Sequence, residues 1–311
     1  MNDTAPYRPD ISIVTPVYNG AATLEELFAR TNALMTELGL AFEMVLVDDG
    51  STDTSWGTIK QLKTAHQTQV QGIKLGRNFG QHNATLCGIR HARGRYIVTI
   101  DDDLQTPPEE IAQLLRVQKA TEADIVYGIY PNKKHSWLRN LGSKLLKRLF
   151  RYLVNGLRDG SSFRLITRDL ADKIDGHNQY FVFIDQILSW HTSDTEFVEV
   201  EHRERAEGRS GYSTRKLFRM AINIIFSYTD LPLRAMTWIG IITSIASFGI
   251  GAYFIYQKVA HGAAIGFTAL IVSIFFSTSL IVLSLGILGE YIGRIYAARG
   301  NRPNYSIKKK V

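Results

Sequence analysis

The sequence predicts an α/β chain: a mostly parallel, Rossmann-like sheet domain, then basic amphipathic helices, then a C-terminal transmembrane hairpin of two helices. Three observations carry this prediction. Short β-branched runs alternate with helix-like segments over residues 1–165. Acidic clusters fall where the second and fourth of these runs end, and two long stretches near residue 250 and residue 280 carry no charge.

The strand-like runs are ISIVT (11–15), FEMVLV (42–47), GIKL (72–75), YIVTI (96–100) and ADIVYG (123–128). Helix-like segments lie between and after them at 21–38, 53–66, 80–92 and 107–120. Such alternation is the βαβ rhythm of a parallel sheet. Thr106-Pro107-Pro108-Glu109 reads as a capping box with proline in the first turn, which sets the start of the last helix. Open α/β sheets bind ligands just beyond the carboxyl ends of their strands. TPVYNG after the first strand, DDGSTD after the second and DDDLQ after the fourth are therefore expected to line one crevice.

The chain of 311 residues is long enough for a large core, and its 36 Lys and Arg against 29 Asp and Glu give a net charge of +7. That balance points to an anionic partner, whether nucleic acid, lipid headgroups or a phosphorylated substrate, without choosing among them. A single cysteine, Cys87, excludes an intramolecular disulfide and any multi-cysteine metal site. It reads as a small buried apolar residue. The opening MNDTAPYRPD lacks the basic-then-apolar layout of a secretory signal, so the first domain is expected in the cytosol.

Composition changes near Leu231. No residue is charged from Ala235 to Gln257 or from Phe267 to Gly289, and each run is long enough to cross a bilayer as a helix. Arginines and lysines crowd the segments before the first run and after the second, whereas the connection KVAHGAAIG holds one lysine. The positive-inside rule then places both termini and the sheet domain in the cytoplasm. Residues 166–232 read as an acceptor loop with juxtamembrane helices, and 296–311 as a basic cytoplasmic tail. Gly289-x-x-x-Gly293 is a weak signal for close helix packing.

Asp101, Asp102 and Asp103 end the fourth strand. Side chains two apart on an extended segment face the same way, so Asp101 and Asp103 can converge while Asp102 points elsewhere. Their repulsion would raise one carboxyl pKa unless a cation intervened. A hard divalent ion, Mg2+ or Mn2+, held by one or two carboxylates and completed by substrate phosphates and water, resolves the conflict. No histidine or cysteine stands close in sequence to suggest zinc.

Neither a P-loop nor a G-x-G-x-x-G follows any of the strands. A nucleotide held through metal and carboxylates remains. Asp48 or Asp49 can accept from a base N–H or a ribose hydroxyl, Tyr18 can pack on a ring, and Pro16 stiffens the first loop. His82 and His91 flank the third helix and read as structural, and Asp185 in FIDQILSW offers a base but reads more simply as a helix-surface carboxylate.

In SWLRNLGSKLLKRLFRYLVNG, Leu138, Leu141, Leu145, Leu149 and Leu153 recur at helical spacing with basic residues on the flanks. This predicts a basic amphipathic helix at about 136–155, suited to a membrane surface. Thr214 to Tyr228 reads as a second such helix.

TPVYN, VDDGSTD, LGRNFGQHNA, IDDDLQTPPEE and GEYIGRIY, in this order, resemble the family 2 glycosyltransferases that load sugars onto polyprenyl phosphate. The resemblance covers nearly the whole chain. It implies a GT-A fold, a nucleotide-sugar donor used with Mg2+ or Mn2+, and inversion at the anomeric carbon. The implied donor is a UDP-sugar and the implied acceptor undecaprenyl phosphate in a bacterial inner membrane, with no nucleic acid partner and a homotetrameric assembly. Carried over by position, it assigns Pro16, Tyr18, Asp48, Asp49, Asp101 and Asp102 to the nucleotide. Asp101, Asp103 and Gln105 go to metal and diphosphate, and Arg205 and Ser210, in RAEGRSGYS, to a loop over the diphosphate. Arg139 and Ser143 go to the acceptor phosphate. Two positions depart from the family pattern. Gly20 stands where the family reads an acidic residue that helps hold the nucleotide. Tyr130 stands where relatives carry arginine, leaving Lys133 as the nearest base for the acceptor phosphate.

A phosphate monoester is already largely ionised at pH 7, so its attack on a sugar needs no strong general base. Catalysis then rests on positioning and on neutralising the leaving group, the expected roles of Asp101, Asp103 and Arg205. Two rival functions would leave other marks. A processive polysaccharide synthase should carry Q-x-x-R-W and further spans, and a non-catalytic nucleotide-binding scaffold need not keep the acidic triplet together with RAEGRSGYS. The transferred sugar stays open. RNFGQHNA and PPEEI resemble the branch that transfers a modified arabinose, while DGSSFRL resembles the glucosyl branch.

Overall fold

A computed structural model describes residues 9–130, 161–174, 182–203, 222, 226, 231–261, 266–299 and 303–311. The expected amphipathic helix at 136–155 lies outside these residues, as does most of 214–228. The chain forms two compact units, one of residues 1–211 with 303–311, the other of residues 212–302.

The first unit is built on β1 (Ile11–Val17), β2 (Phe42–Asp48), β3 (Val70–Leu75) and β4 (Tyr96–Thr99), with α1 (Leu24–Leu38), α2 (Ser55–Ala65) and α3 (Gln81–His91) in the crossovers. Every residue of β1 and β2 is buried, as strands covered on both faces require. β1 pairs in parallel with β2 on one side and with β4 on the other, and β2 pairs in parallel with β3. The chain thus moves outward from β1 to β3, then returns to β1's other edge. That reversal is a topological switch point, and the crevice opens where β1 and β4 end side by side.

The remaining strands differ from a purely parallel continuation. β5 (Ile125–Ile129) does not adjoin β4, because β6 (Arg164–Thr167) lies antiparallel between them, and β7 (Thr195–Glu199) pairs in parallel with β5. α4 (Ile111–Thr121) precedes β5, and α5 (Arg168–Lys173) and α6 (Ile184–Ser189) separate β6 from β7. The residues read from sequence as a basic tail supply β8 (Ile307–Lys310), antiparallel on β3, so the eight-stranded sheet runs β7-β5-β6-β4-β1-β2-β3-β8.

Two apolar layers sandwich the sheet. Leu24, Leu27, Met35, Ile59 and Leu114 pack on one face with Ile11, Met44 and Val98; Leu86, Ile89, Leu170 and Ile187 pack on the other with Val14, Val45 and Ile97. Each such side chain, fully buried, contributes roughly 1.5–3 kcal/mol. Cys87 is buried in the second layer, and burial pushes its thiol up to about 12, so it stays protonated and inert.

The capping box is not formed. A 3-10 turn, Pro108–Glu110, leads into α4 with no side-chain cap, and the Thr106 hydroxyl pairs with the Tyr130 hydroxyl at 2.6 Å. Glu109 turns to Arg30 on α1, which grips it with Nε at 2.9 Å and Nη2 at 2.7 Å. A two-pronged guanidinium contact is a stronger partner than a backbone N–H. Proline does stand in the first turn, as expected.

The second unit holds α7 (Leu231–His261) and α8 (Phe267–Arg299). Both are long and apolar enough to cross a membrane, and none of the described residues in either apolar window is buried. Phe248, Val259 and Phe275 are 82%, 83% and 70% exposed. A core helix of a soluble protein would hide such side chains, so both helices are candidate membrane spans.

Candidate active site

Four consecutive backbone N–H groups of the loop after β1 are each captured by a side chain. Tyr18 donates to Asp102 Oδ2 at 3.2 Å, Asn19 to Ser51 Oγ at 3.1 Å, Gly20 to Ser55 Oγ at 3.0 Å and Ala21 to Asp53 Oδ2 at 3.3 Å. Asn19 has φ 56°, a left-handed conformation that asparagine tolerates, and its side-chain oxygen accepts from Thr52 N–H at 2.9 Å. The first loop is therefore fixed by DDGSTDTS from β2 and by the acidic triplet from β4. All three stretches meet, as their strand ends predict.

Within this frame the sequence-derived nucleotide residues occupy distinct places. Pro16 is buried in β1, level with Val47 of β2, and Tyr18 is 52% exposed beyond the strand end. Asp48 is fully buried. Its Oδ1 accepts from Ser51 N–H at 2.8 Å, and Oδ2 lies 3.3 Å from Lys74 Nζ in an ion pair too poorly aligned for a hydrogen bond. Asp49 is buried as well, and its two oxygens accept from Phe79 N–H at 2.7 Å and Gly80 N–H at 2.9 Å. Burial pushes Asp49 up to about 6, against the lowering effect of these two donors.

The pinned loop leads directly to the triplet. Gln81, next after Gly80, donates from Nε2 to Asp101 Oδ1 at 2.7 Å, and Ser162 Oγ donates to Asp101 Oδ2 at 2.7 Å. Asp101 is thus held on both oxygens. Its pKa is raised, chiefly by burial, with Asp103's charge adding in the same direction and the Ser162 and Gln81 donors opposing. Leu104 adopts φ 57°, turning the chain sharply after the triplet, and Gln105 N–H donates back to Asp103 Oδ1 at 3.1 Å. The Gln105 carbonyl accepts from Arg203 N–H at 2.8 Å, tying the triplet to the segment that leads toward Arg205.

Residues 102 and 103 form a turn rather than the extended segment expected, and Asp102 reaches the loop after β1 by accepting from the Tyr18 N–H. Burial pushes it up to about 7, with the charges of Asp101 and Asp103 adding and the Tyr18 N–H opposing. Among the described residues no three acidic, histidine or cysteine side chains enclose a cation by themselves. Two carboxylates on one wall of an open crevice fit a hard divalent ion that takes its other ligands from a diphosphate and water. The charge of Asp103 is among the causes that raise Asp101, and such an ion would offset it.

Gln81 and Ser162 were not singled out from the sequence. A lone amide or hydroxyl carries no signal until the fold brings it to a carboxylate. Tyr130 sits beside the crevice with its ring against His202, centroids 4.3 Å apart. Lys133, Arg139, Ser143, Arg205 and Ser210 lie outside the described residues.

Comparison with known proteins follows the same lines. The profile described as "Glycosyl transferase family 2" matches residues 12–175. The undecaprenyl-phosphate 4-deoxy-4-formamido-L-arabinose transferase of Shewanella sediminis (strain HAW-EB3) is 37% identical over 308 residues, covering 96% of this chain and 91% of its own. Among solved structures, glucosyl-3-phosphoglycerate synthase from Mycobacterium tuberculosis, in complex with Mn2+, UDP-glucose and phosphoglyceric acid, superposes with a TM-score of 0.52 at 18% identity. That match covers 71% of this chain and 78% of the synthase, and shows a shared fold. The Mn2+, UDP and glucosyl-3-phosphoglycerate complex of the same enzyme matches with a TM-score of 0.50. With the family profile spanning all three strand-end loops and a relative of this identity spanning nearly the whole chain, the chain belongs to glycosyl transferase family 2.

Proposed function

We propose that the crevice binds a UDP-sugar with Mg2+ or Mn2+ and transfers one sugar, with inversion, to undecaprenyl phosphate. The products are a sugar-phosphate-polyprenyl diester and UDP. The observation that carries this reading is the meeting of three strand-end loops, one of them the acidic triplet, in a chain that also carries two membrane-length helices. A lipid-borne acceptor gives those helices a purpose, and the 37% identical relative is named for that acceptor.

In this account Tyr18 and the loops around Pro16, Asp48, Asp49 and Asp102 surround the nucleoside, and Asp101, Asp103 and Gln105 face the diphosphate. A divalent ion there would neutralise charge developing on the leaving UDP. Arg205 and Ser210 would close over the same diphosphate, and Lys133, Arg139 and Ser143 would orient the acceptor phosphate. No residue need act as a strong base, because the attacking phosphate oxygen is already ionised. Asp185, the one carboxylate that sequence offered as a base, is engaged by Arg164. The sheet domain and both ends of the hairpin lie on the cytoplasmic side of a bacterial inner membrane, and the protein works as a homo-oligomer.

The test is mass spectrometry of lipid formed by the purified protein from undecaprenyl phosphate and a panel of UDP-sugars. A product resistant to alkaline phosphatase, formed with release of UDP, is expected. A pyrophosphate-linked product or release of UMP would mark a sugar-phosphate transferase instead. A matching test of the acceptor assignment is Arg139→Ala, expected to raise the KM for undecaprenyl phosphate and leave UDP affinity unchanged.

A further inference from the structure

Gly20 has no positive φ, so backbone conformation does not explain a glycine there. Space does. A Cβ at Gly20 would lie 2.2 Å from Asp102 Oδ2 and 2.9 Å from its Cγ, inside van der Waals contact. The Asp102 carboxylate occupies the room that a side chain at residue 20 would take.

Asp102 also holds the loop on both sides of that glycine. Its Oδ2 accepts from Tyr18 N–H at 3.2 Å, and its carbonyl oxygen accepts from the Thr23 hydroxyl. The other three captured N–H groups of the loop, at Asn19, Gly20 and Ala21, all go to residues following β2. Asp102 is therefore the side chain that fastens Tyr18 to the β4 side of the crevice, across the switch point.

We infer that Gly20 and Asp102 act as one positioning pair: the bare α-carbon admits the Asp102 carboxylate, which fixes the Tyr18 peptide and so aims the exposed Tyr18 ring at the nucleoside. The acidic triplet then divides by role. Asp101 and Asp103 face the diphosphate, and Asp102 serves the β1 loop. This inference rests on the nucleotide-site reading above, and it concerns how that site is shaped.

The pairing makes an unusual prediction for substitution. A methyl group at residue 20 meets the far end of a flexible side chain, so Gly20→Ala should expel the Asp102 carboxylate and leave the fold intact. Its effect on UDP binding should equal that of Asp102→Ala. The double variant should be no worse than either, since both changes delete the same contact.

The experiment is calorimetric titration of UDP into the full-length, detergent-solubilised chain, with EDTA and separately with Mg2+. Gly20→Ala, Asp102→Ala and the double variant should each lose roughly five- to tenfold in affinity, the worth of about one net hydrogen bond. The loss should be the same with and without the metal. Asp102→Asn, which keeps an oxygen for Tyr18 N–H, should restore binding. Losses that add in the double variant, a loss seen only with Mg2+, or no rescue by asparagine would overturn the pairing. If the native chain binds no UDP at all, the nucleotide reading fails. The thermal midpoints of the same four proteins still decide the pairing, which requires the double variant to match the single ones and is overturned by additive shifts.

Discussion

The Asp185 carboxylate lies against the Arg164 guanidinium, and the Tyr127 hydroxyl donates to the same carboxylate oxygen at 2.9 Å. Arg164 also donates from Nε to Thr99 Oγ1 at 3.2 Å, at the end of β4 and just before the triplet. This corrects the expectation that Asp185 is a helix-surface carboxylate, since the side chains of Arg164 and Asp185 are only 3% and 11% exposed. α6 presents its first turn to the sheet here, and a buried cation on β6 needs a counter-charge. Asp185→Asn or Arg164→Met should therefore destabilise the sheet domain by about 3–5 kcal/mol, the cost of leaving a buried charge alone. Chemical denaturation of the single variants checks this. The double change to Arg164→Met and Asp185→Asn should cost less than the two single losses combined, and additive losses would contradict a buried pair.

By contrast, the Arg30–Glu109 contact lies at the surface, with Glu109 51% exposed. Glu109 is held below the usual carboxylate range, mainly by the Arg30 hydrogen bonds. Glu109→Gln should cost under about 1 kcal/mol, because solvent screens such pairs. A loss as large as that of Asp185→Asn would show that α4 depends on this contact for its start.

His82 packs edge-on against Phe183 at 4.9 Å, and burial pushes its pKa down to about 4, with Asp185 opposing and Arg164 adding. An unfolded histidine titrates near 6.5, so on acidification the unfolded chain takes up the proton first. The stability contributed by neutral His82 is full above about pH 6.5 and is lost as pH falls toward about 4. His82→Gln should flatten the decline across that window. Asp49, pushed up to about 6, acts with the opposite sign over part of it, so the comparison must be between variant and native protein. Thermal midpoints at two pH values, one on each side of 6, provide the check. Parallel curves would remove His82 from the account.

β8 is bonded to β3 through Val311, whose N–H donates to the Gly72 carbonyl at 2.9 Å and whose carbonyl accepts from Gly72 N–H at 3.0 Å. Lys310 Nζ lies 2.8 Å from His91 Nε2, and Arg90 covers the Tyr305 ring. A Cβ at Gly72 would come within 2.5 Å of Ile59 Cγ2 and 2.7 Å of Val311 Cγ2. Gly72→Val should cost about 1–3 kcal/mol by overpacking. Removing residues 306–311 should lower the thermal midpoint and promote aggregation through the exposed edge of β3. A truncated protein that melts and stays dispersed like the native one would contradict a structural role for this strand.

The four parallel strands around the crevice were legible because short, largely apolar runs alternate with helix-like segments, and the triplet was legible because carboxylates at a strand end need a reason. β6 was not, since RLIT is only four residues long and enters the sheet antiparallel between two strands that precede it. β8 was hidden by its lysines, which read as a solvated tail until edge pairing with β3 makes IKKK a strand. The capping box failed because sequence cannot show that Arg30 and Tyr130 would compete for its two side chains. Asp49 reads naturally as a ligand for the nucleotide, yet both its oxygens hold the loop that delivers Gln81 to Asp101. Such contacts join residues 20 to 79 positions apart, beyond any local pattern.

The most direct measurement is turnover of undecaprenyl phosphate by native protein and by Asp103→Asn, each purified, treated with EDTA and then titrated with Mg2+ or Mn2+. The account predicts that EDTA stops the native enzyme and that either ion restores it. It also predicts that Asp103→Asn keeps the native melting temperature while losing most turnover at every metal concentration. Sugar transfer that persists in EDTA, or near-native rates in the purified Asp103→Asn protein, would contradict it.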